Sequence, residues 1–307
     1  MAKASKDERI TLEGMQTTMG EQYGVNLITL NTAEKNIRLA LDLPDTGAFC
    51  LVGLSGVGKT DTVRHVAKLA SEELGEPVGC VTLMLSQLSE GDLQGLPYPD
   101  KTNNTSVRYP FKALPTQAAV DRGDFPKRGI LFLDELNRAT REVQQSAFQL
   151  IGEKKCGDSD IAEGWVVGCA INPEGGDYMV NRMDPAMINR MCFLAIRADA
   201  GVWLKWAEKH KVNSCVVDFI AANAGCLYDI EAQGDGKVFA SPRSWVKLSK
   251  ALDKLIANIY LERSGGDSNK EIELSYDELS RVIRDYYSYL GGYIGSNNLA
   301  IFTNFMS

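Results

Sequence analysis

Histidine is scarce in this 307-residue sequence, and the cysteines are not spaced as metal ligands usually are. Its two histidines, His65 and His210, have no neighbours at metal-ligand spacing, so neither is expected to hold a metal ion. The seven cysteines are scattered without a CxxC pair, and most of them lie in apolar runs. We interpret them as reduced core thiols, which excludes a disulfide scaffold and argues against a metal cluster.

Long apolar runs and an excess of positive charge are also missing. No apolar stretch approaches the roughly 18 residues of a membrane-spanning helix, and Met1 to Glu8 lacks the apolar core of a signal peptide. We therefore expect a cytoplasmic protein with no membrane partner. With 33 basic and 40 acidic residues, the net charge of -7 gives no overall attraction to nucleic acid, which makes that partner less expected.

Short apolar runs alternate with helical patterns over the first two thirds of the chain. The apolar runs are Ala48 to Val52, Val78 to Leu85, Gly129 to Leu133, Trp165 to Ile171 and Met191 to Ile196. Helices are predicted from Thr32 to Leu43, from about Val63 to a C-cap at Gly75, and from an N-cap at Thr140 until Gly152. This alternation predicts an α/β fold in which helices cover both faces of a parallel sheet.

Helical patterns replace the strand-like runs after about residue 200. Pro242 follows a serine, as is typical of a helix start, and Ser275 with Glu278 forms a capping box ahead of another helix. Ser264 to Asn269 is predicted to be a loop between them. We therefore predict an α/β domain over residues 1–199 and a smaller all-helical domain over 200–307. The apolar tail after Gly291 either packs on the helical domain or binds a neighbouring chain.

Residues 86–128 are rich in glycine, proline and asparagine and follow neither a helical nor a strand pattern. Because a segment of this length is too long for an idle connection, we predict a functional insert. Its aromatic residues Tyr98, Tyr109 and Phe111 either contact a partner or pack within the insert.

A glycine-rich motif lies between the first predicted strand and the helix that follows it. Residues 53–60 match GxxxxGK[ST] in the strand–turn–helix context that a P-loop requires. Glycines let backbone N–H groups face phosphates, while Lys59 reaches phosphate oxygens and Thr60 takes a magnesium position. The residues assigned to nucleotide binding are Gly53, Ser55, Gly56, Val57, Gly58, Lys59 and Thr60.

A second motif ends the third predicted strand, where an apolar run reaches two carboxylates, Asp134 and Glu135. In a P-loop protein this is the Walker B pattern. Asp134 is assigned to hold the metal ion through water, and Glu135 to orient and deprotonate the attacking water.

The residues after these carboxylates resemble a known family. Asp134 to Ala139 (DELNRA), followed by a helix with two glutamines, is similar to the DE[IL]NRA segment of MoxR-type AAA+ ATPases and of their dynein- and midasin-related relatives. Gly91 to Gly95 resembles the DLxG stretch that opens the helix-two insert of that family. The resemblance covers roughly residues 30–260. It implies a P-loop AAA+ sheet sandwiched by helices, a helical lid, and ATP with Mg²⁺ as ligands.

Three further roles follow from this resemblance. Asn172 matches sensor 1, a polar side chain that positions the hydrolytic water. Arg190 stands where the family places an arginine finger, which is donated to the neighbouring subunit. Here the family usually has Asp-Arg-Phe and this chain has Asn-Arg-Met, so Arg182 stays a rival. Arg243, in the first turn of the helix that Pro242 opens, matches sensor 2.

The resemblance also implies a function: an ATP-hydrolysing enzyme that works as a hexameric ring of identical subunits and remodels or activates a protein partner. A von Willebrand factor A domain protein is the partner implied by MoxR-type relatives. Two other classes stay open, namely a nucleic-acid motor or restriction-type GTPase, and a scaffold that uses nucleotide only to hold an oligomer together. DNA-stimulated turnover or a preference for GTP distinguishes the first of these, and absence of turnover the second.

Overall fold

The computed structural model describes residues 11–173, 180–264 and 275–306. The chain divides into two compact units. One of them comprises Gln16–Leu54 and Gly58–Arg197. The other comprises 198–306 together with Ser55–Val57 and the first described residues up to Met15. The domain boundary at 199/200 stays a prediction from the sequence.

The α/β unit contains most of α1 and every element up to residue 197. These elements are α1 (Leu12–Tyr23), β1 (Leu27–Ile28), α2 (Leu30–Asp42), β2 (Ala48–Val52), α3 (Lys59–Leu74), β3 (Val78–Met84), α4 (Glu90–Gln94), β4 (Leu96–Asp100), β5 (Thr105–Tyr109), α5 (Gln117–Asp121), β6 (Arg128–Asp134), α6 (Arg141–Glu153), β7 (Lys155–Cys156), β8 (Ser159–Asp160), β9 (Trp165–Ile171), α7 (Pro185–Ile188) and β10 (Met191–Ile196).

Six strands form the central sheet in the order β1-β10-β2-β9-β6-β3, and every neighbouring pair is parallel. The middle strands β2 and β9 are buried along their whole length, which explains their continuous apolar sequences. The predicted α/β class, with a parallel sheet flanked by helices, is confirmed. The sheet brings the carboxyl ends of β2, β6 and β9 to one edge, where the candidate site lies.

The structure differs from the sequence-based expectations in three places. The two-residue strand β1 was not predicted. The insert is not patternless, since β4 and β5 form an antiparallel hairpin between α4 and α5. Tyr98 and Tyr109, 56% and 57% exposed, pack edge to face on this hairpin. Helix α6 does not stop at Gly152 but ends at Glu153, with Lys154 in the left-handed conformation.

The helical unit holds α8 (Ala200–Lys209), α9 (Ser214–Ala222), α10 (Ile230–Gly234), α11 (Pro242–Ser264), α12 (Tyr276–Asp285), α13 (Tyr287–Ile294) and α14 (Ser296–Phe305). The capping box of Ser275 and Glu278 is confirmed at the start of α12. Of the predicted loop from 264 to 269, residues 265–269 lie outside the described residues. The tail side chains Leu299, Phe302 and Met306 are buried in the core of this unit. None of the helices in the described ranges combines the length and the apolar character of a membrane span.

Candidate nucleotide site

The loop between β2 and α3 has the conformation that its glycines predict. Gly56 and Gly58 take positive φ angles of 79° and 110°, a region that side chains with a Cβ rarely adopt. Gly58 is also the N-cap of α3, and no side chain caps this end of the helix. The first-turn N–H groups of this 16-residue helix are therefore suited to an anion such as a phosphate.

Lys59 lies under the loop and is only 8% exposed. Because β2 and β9 pair in parallel, Gly53 and Asn172 leave the sheet side by side. The Lys59 ammonium donates to the Gly53 carbonyl at 2.6 Å, the Leu54 carbonyl at 3.2 Å and the Asn172 Oδ1 atom at 3.2 Å. The sheet thus brings two residues 113 positions apart into direct contact.

Thr60 and Asp134 provide adjacent oxygen atoms on the same side of the α/β unit. The Thr60 hydroxyl donates to the Asp134 carboxylate at 2.5 Å. Hydroxyl and carboxylate oxygens are the ligands that Mg²⁺ prefers, and this ion usually takes only one or two protein ligands beside phosphates and water. The described residues contain no cluster of three or more His, Cys, Asp or Glu side chains around a metal position. The pair therefore fits a magnesium ion that is bound together with a nucleotide.

Glu135 follows β6 in the left-handed conformation, with φ of 58°. Its carboxylate accepts a hydrogen bond from the Ser86 hydroxyl at 2.6 Å and pairs with the Arg138 guanidinium at 3.1 Å. Ser86 reaches it because β3 and β6 pair in register up to Met84 and Asp134. A role for Ser86 was not predicted, since its place opposite Glu135 depends on strand register and carries no local sequence signal.

Asn137 connects the segment after β6 to the end of β9. Its Nδ2 donates to the Asn172 carbonyl at 2.7 Å, and its Oδ1 accepts from the Asn172 backbone N–H at 3.2 Å. Asn137 is 0% exposed and Asn172 is 6% exposed, so both bonds lie away from water. Asn137 belongs to the DELNRA segment and no role was predicted for it, although its side chain holds the backbone of Asn172.

The two candidate finger arginines differ in their surroundings. The Arg190 guanidinium lies over the Phe148 ring, 4.1 Å from its centroid, and donates to the Ala186 carbonyl at 3.0 Å. Arg182 is exposed and makes no hydrogen bond or ion pair within the described ranges. Contacts within its own subunit therefore hold the Arg190 guanidinium, and no such contact is made by Arg182 within the described ranges.

Arg243 is the second residue of α11, in the helical unit that also contains Ser55–Val57. Its backbone N–H donates to the Gly56 carbonyl at 3.3 Å, and its side chain is exposed. The Tyr228 hydroxyl donates to the Ser55 carbonyl at 2.8 Å. Within this unit, the carbonyls of Ser55 and Gly56 therefore accept hydrogen bonds from Tyr228, which precedes α11, and from Arg243 in its first turn.

Two cysteines lie in the strands that carry the site. Cys50 on β2 and Cys169 on β9 are register partners, and both are fully buried. Burial raises the pKa of both thiols above the ordinary value. They are therefore neutral core groups, whereas Cys192 is exposed.

The loop, Lys59, the two carboxylates and Asn172 form an arrangement suited to a nucleotide phosphate group and its metal ion. Residues 48–191 match the family model of the AAA domain, dynein-related subfamily. The match contains the loop, both carboxylates, Asn172 and Arg190, and it supports an AAA+ ATPase.

A search of curated proteins finds no match to the chain. Among solved structures, a proline-to-glycine mutant of Thermotoga maritima RuvB is 16% identical, with a TM-score of 0.41, over 96% of this chain and 83% of that one. A lysine-to-arginine mutant of the same protein is 14% identical, with a TM-score of 0.42, over 93% and 84%. Likeness at this level says nothing about what the chain acts on.

Proposed function

We propose that the protein is an ATP-hydrolysing AAA+ enzyme of the MoxR type, which works as a ring and remodels or activates a protein partner. The observation that carries this proposal is the joint placement of Lys59 against Asn172 and of Thr60 against Asp134. A scaffold that only binds nucleotide does not need a water-positioning group or a base beside the phosphate site. The chain keeps both, as Asn172 and Glu135.

The residues divide the work as follows. Lys59 and the N–H groups of the loop bind phosphate oxygens, and Thr60 with Asp134 holds the magnesium ion. Magnesium, when bound, supplies charge neutralisation at the phosphates. Glu135 accepts the proton of the attacking water, and Asn172 orients that water. Ser86 and Arg138 hold the Glu135 carboxylate with one hydrogen bond to each oxygen, and further lone pairs of both oxygens remain for the water.

The site is completed between subunits in this proposal. Arg190 of a neighbouring subunit stabilises the charge that develops during phosphoryl transfer, and Arg182 is the alternative donor. Arg243 is assigned to sense the nucleotide, and the bond between its backbone N–H and the Gly56 carbonyl of the loop supports that role. The proposed assembly is a homo-oligomeric ring, because an arginine donated from each subunit to the next repeats head to tail until the ring closes. Six subunits are what the resemblance to the family implies.

ATPase turnover measured against protein concentration tests the proposal. Specific activity should rise with concentration, and Lys59→Ala and Arg190→Ala should each reduce it at least about a hundredfold. Arg182→Ala is the matched control and should keep activity within about threefold. If Arg182→Ala abolishes turnover and Arg190→Ala does not, the finger has been assigned to the wrong arginine.

The same assay separates the other functional classes. GTP in place of ATP and added single-stranded or duplex DNA are the comparison arms. Stimulation by DNA or a preference for GTP overturns the protein-remodelling proposal in favour of a nucleic-acid motor or GTPase. A von Willebrand factor A domain protein is the partner to add first, and it should raise turnover.

A further inference from the structure

The guanidinium of Arg190 is held by contacts within its own subunit. It lies 4.1 Å from the centroid of Phe148, and its Nη1 atom donates to the Ala186 carbonyl. Phe148 is half-buried and packs with its other atoms against the core of the α/β unit. Arg190 itself is exposed, and no carboxylate of the described ranges pairs with it. A guanidinium has five N–H donors, and a single bond to Ala186 leaves most of them for another acceptor.

Gly152 gives this arginine the room that it needs. A Cβ atom at Gly152 would lie 2.8 Å from both the Cδ and the Nε atoms of Arg190. Glycine is less favourable than alanine in a helix, and Gly152 lies in the last turn of α6, one residue before its end at Glu153. Its φ angle is not positive and the helix does not end there, so backbone conformation does not explain the glycine. The path of the Arg190 side chain does explain it.

We propose that Phe148 and Gly152 form a cradle that positions the Arg190 guanidinium for the nucleotide site of the neighbouring subunit. The inference rests on the proposed function, in which Arg190 acts across the subunit interface. Phe148 and Gly152 are positioning residues, since they act through Arg190 and not on the nucleotide.

The physical reason is the flexibility of a free arginine. An unconstrained arginine loses nearly all of its rotamer freedom when it docks, which opposes docking. A ring face attracts the cation and restricts the side chain before it docks. The bound arginine then needs little further ordering when it reaches the neighbouring phosphate, so the cradle raises the rate at which the shared site works.

Mixed rings test this without relying on the stability of a single variant. Lys59→Ala subunits cannot use their own site but still donate Arg190. Arg190→Ala subunits keep their site and need a donor. Each should be inactive alone, and random mixing in equal amounts should place a donor beside an acceptor at about one site in four. The mixture should therefore regain a measurable part of wild-type turnover.

Phe148→Leu is then added to one kind of subunit at a time. In the Lys59→Ala donor it should lower the restored kcat by about three- to tenfold, the effect of losing one cation–π contact. In the Arg190→Ala acceptor it should change the kcat less than twofold, because that subunit donates no arginine. Phe148→Tyr in the donor should keep the restored kcat, since a tyrosine ring also attracts a cation.

Gly152→Ala in the donor gives a second readout. Alanine favours the helix, so the melting temperature should stay or rise, while the restored kcat falls because the new Cβ displaces the side chain of Arg190. An equal loss of kcat with Phe148→Leu in donor and acceptor, or no loss in either, overturns the cradle. If the parent mixture of Lys59→Ala and Arg190→Ala regains nothing while wild type is active, Arg190 does not act across subunits, and the proposed function fails together with the cradle.

Discussion

Replacement of Asn137 by alanine tests how the sensor-like asparagine is held. The side chain of Asn137 makes both hydrogen bonds to the backbone of Asn172, at 2.7 and 3.2 Å, and both lie in the interior. In Asn137→Ala a buried N–H group and a buried carbonyl lose their partners. Each such loss costs about 1–3 kcal/mol, so we expect a loss of about 3 kcal/mol in the free energy of unfolding.

The assay is scanning calorimetry of the purified variant beside wild type. For a unit of this size, about 1 kcal/mol corresponds to roughly 2–4 °C, so the melting temperature should fall by roughly 6–12 °C. Asn181→Ala is the matched control, because its exposed side chain makes one hydrogen bond, to the Ala139 carbonyl. That variant should lose less than about 1 kcal/mol. If the melting temperature of Asn137→Ala stays within about 2 °C of wild type, the loss in the free energy of unfolding is about 1 kcal/mol or less, and the reasoning is refuted.

Four further predictions concern the loop, the base and the thiols. In Gly56→Ala the new Cβ would lie 2.9 Å from the Ser241 hydroxyl oxygen, and alanine would have to adopt the φ of 79° that glycine takes there. ATP affinity, measured by titration, and melting temperature, measured by calorimetry, should therefore both fall. Unchanged values would contradict a requirement for glycine in the loop. Glu135→Gln should bind ATP with unchanged affinity but hydrolyse it at least about a hundredfold more slowly, and full turnover would remove Glu135 as the base. A thiol reagent at pH 8 should label Cys192 before Cys50 by peptide mapping, and the reverse order would contradict the buried position of Cys50. Because burial raises the pKa of Cys50 in the folded state, unfolding releases a proton above about pH 8.5, and the free energy of unfolding should fall as pH rises there.

The parts of the fold that depend on local sequence could be predicted. Trp165–Ile171 and Met191–Ile196 are strands with the predicted bounds, since continuous apolar runs of this length have few alternatives. The capping box at Ser275 is likewise a local signal. The strand β1 has only two residues and no pattern of its own, and Pro97 and Pro99 in β4 disfavour the strand assignment that the structure reveals.

The contacts of the candidate site were predictable only in part. Lys59 and Asp134 belong to motifs whose residues are close in sequence, so they could be assigned roles from the sequence. Ser86 and Asn137 act on residues that strand register brings beside them from 49 and 35 positions away. Gly152 was predicted to end the helix because glycine is unfavourable within a helix. In the structure the side chain of Arg190 occupies the space that a Cβ at this position would need.

The two prolines of β4 also determine how the exposed hairpin can meet other chains. Successive residues of an antiparallel strand direct their N–H groups alternately toward the partner strand and away from it. Pro97 and Pro99 have no N–H and alternate with Leu96, Tyr98 and Asp100, so one side of β4 lacks backbone donors over Leu96–Asp100 although its carbonyls remain. A foreign strand that pairs there gains only the bonds that the carbonyls accept, which disfavours edge-to-edge aggregation at an aromatic-bearing surface. Side chains therefore contribute more than backbone pairing to recognition on that side.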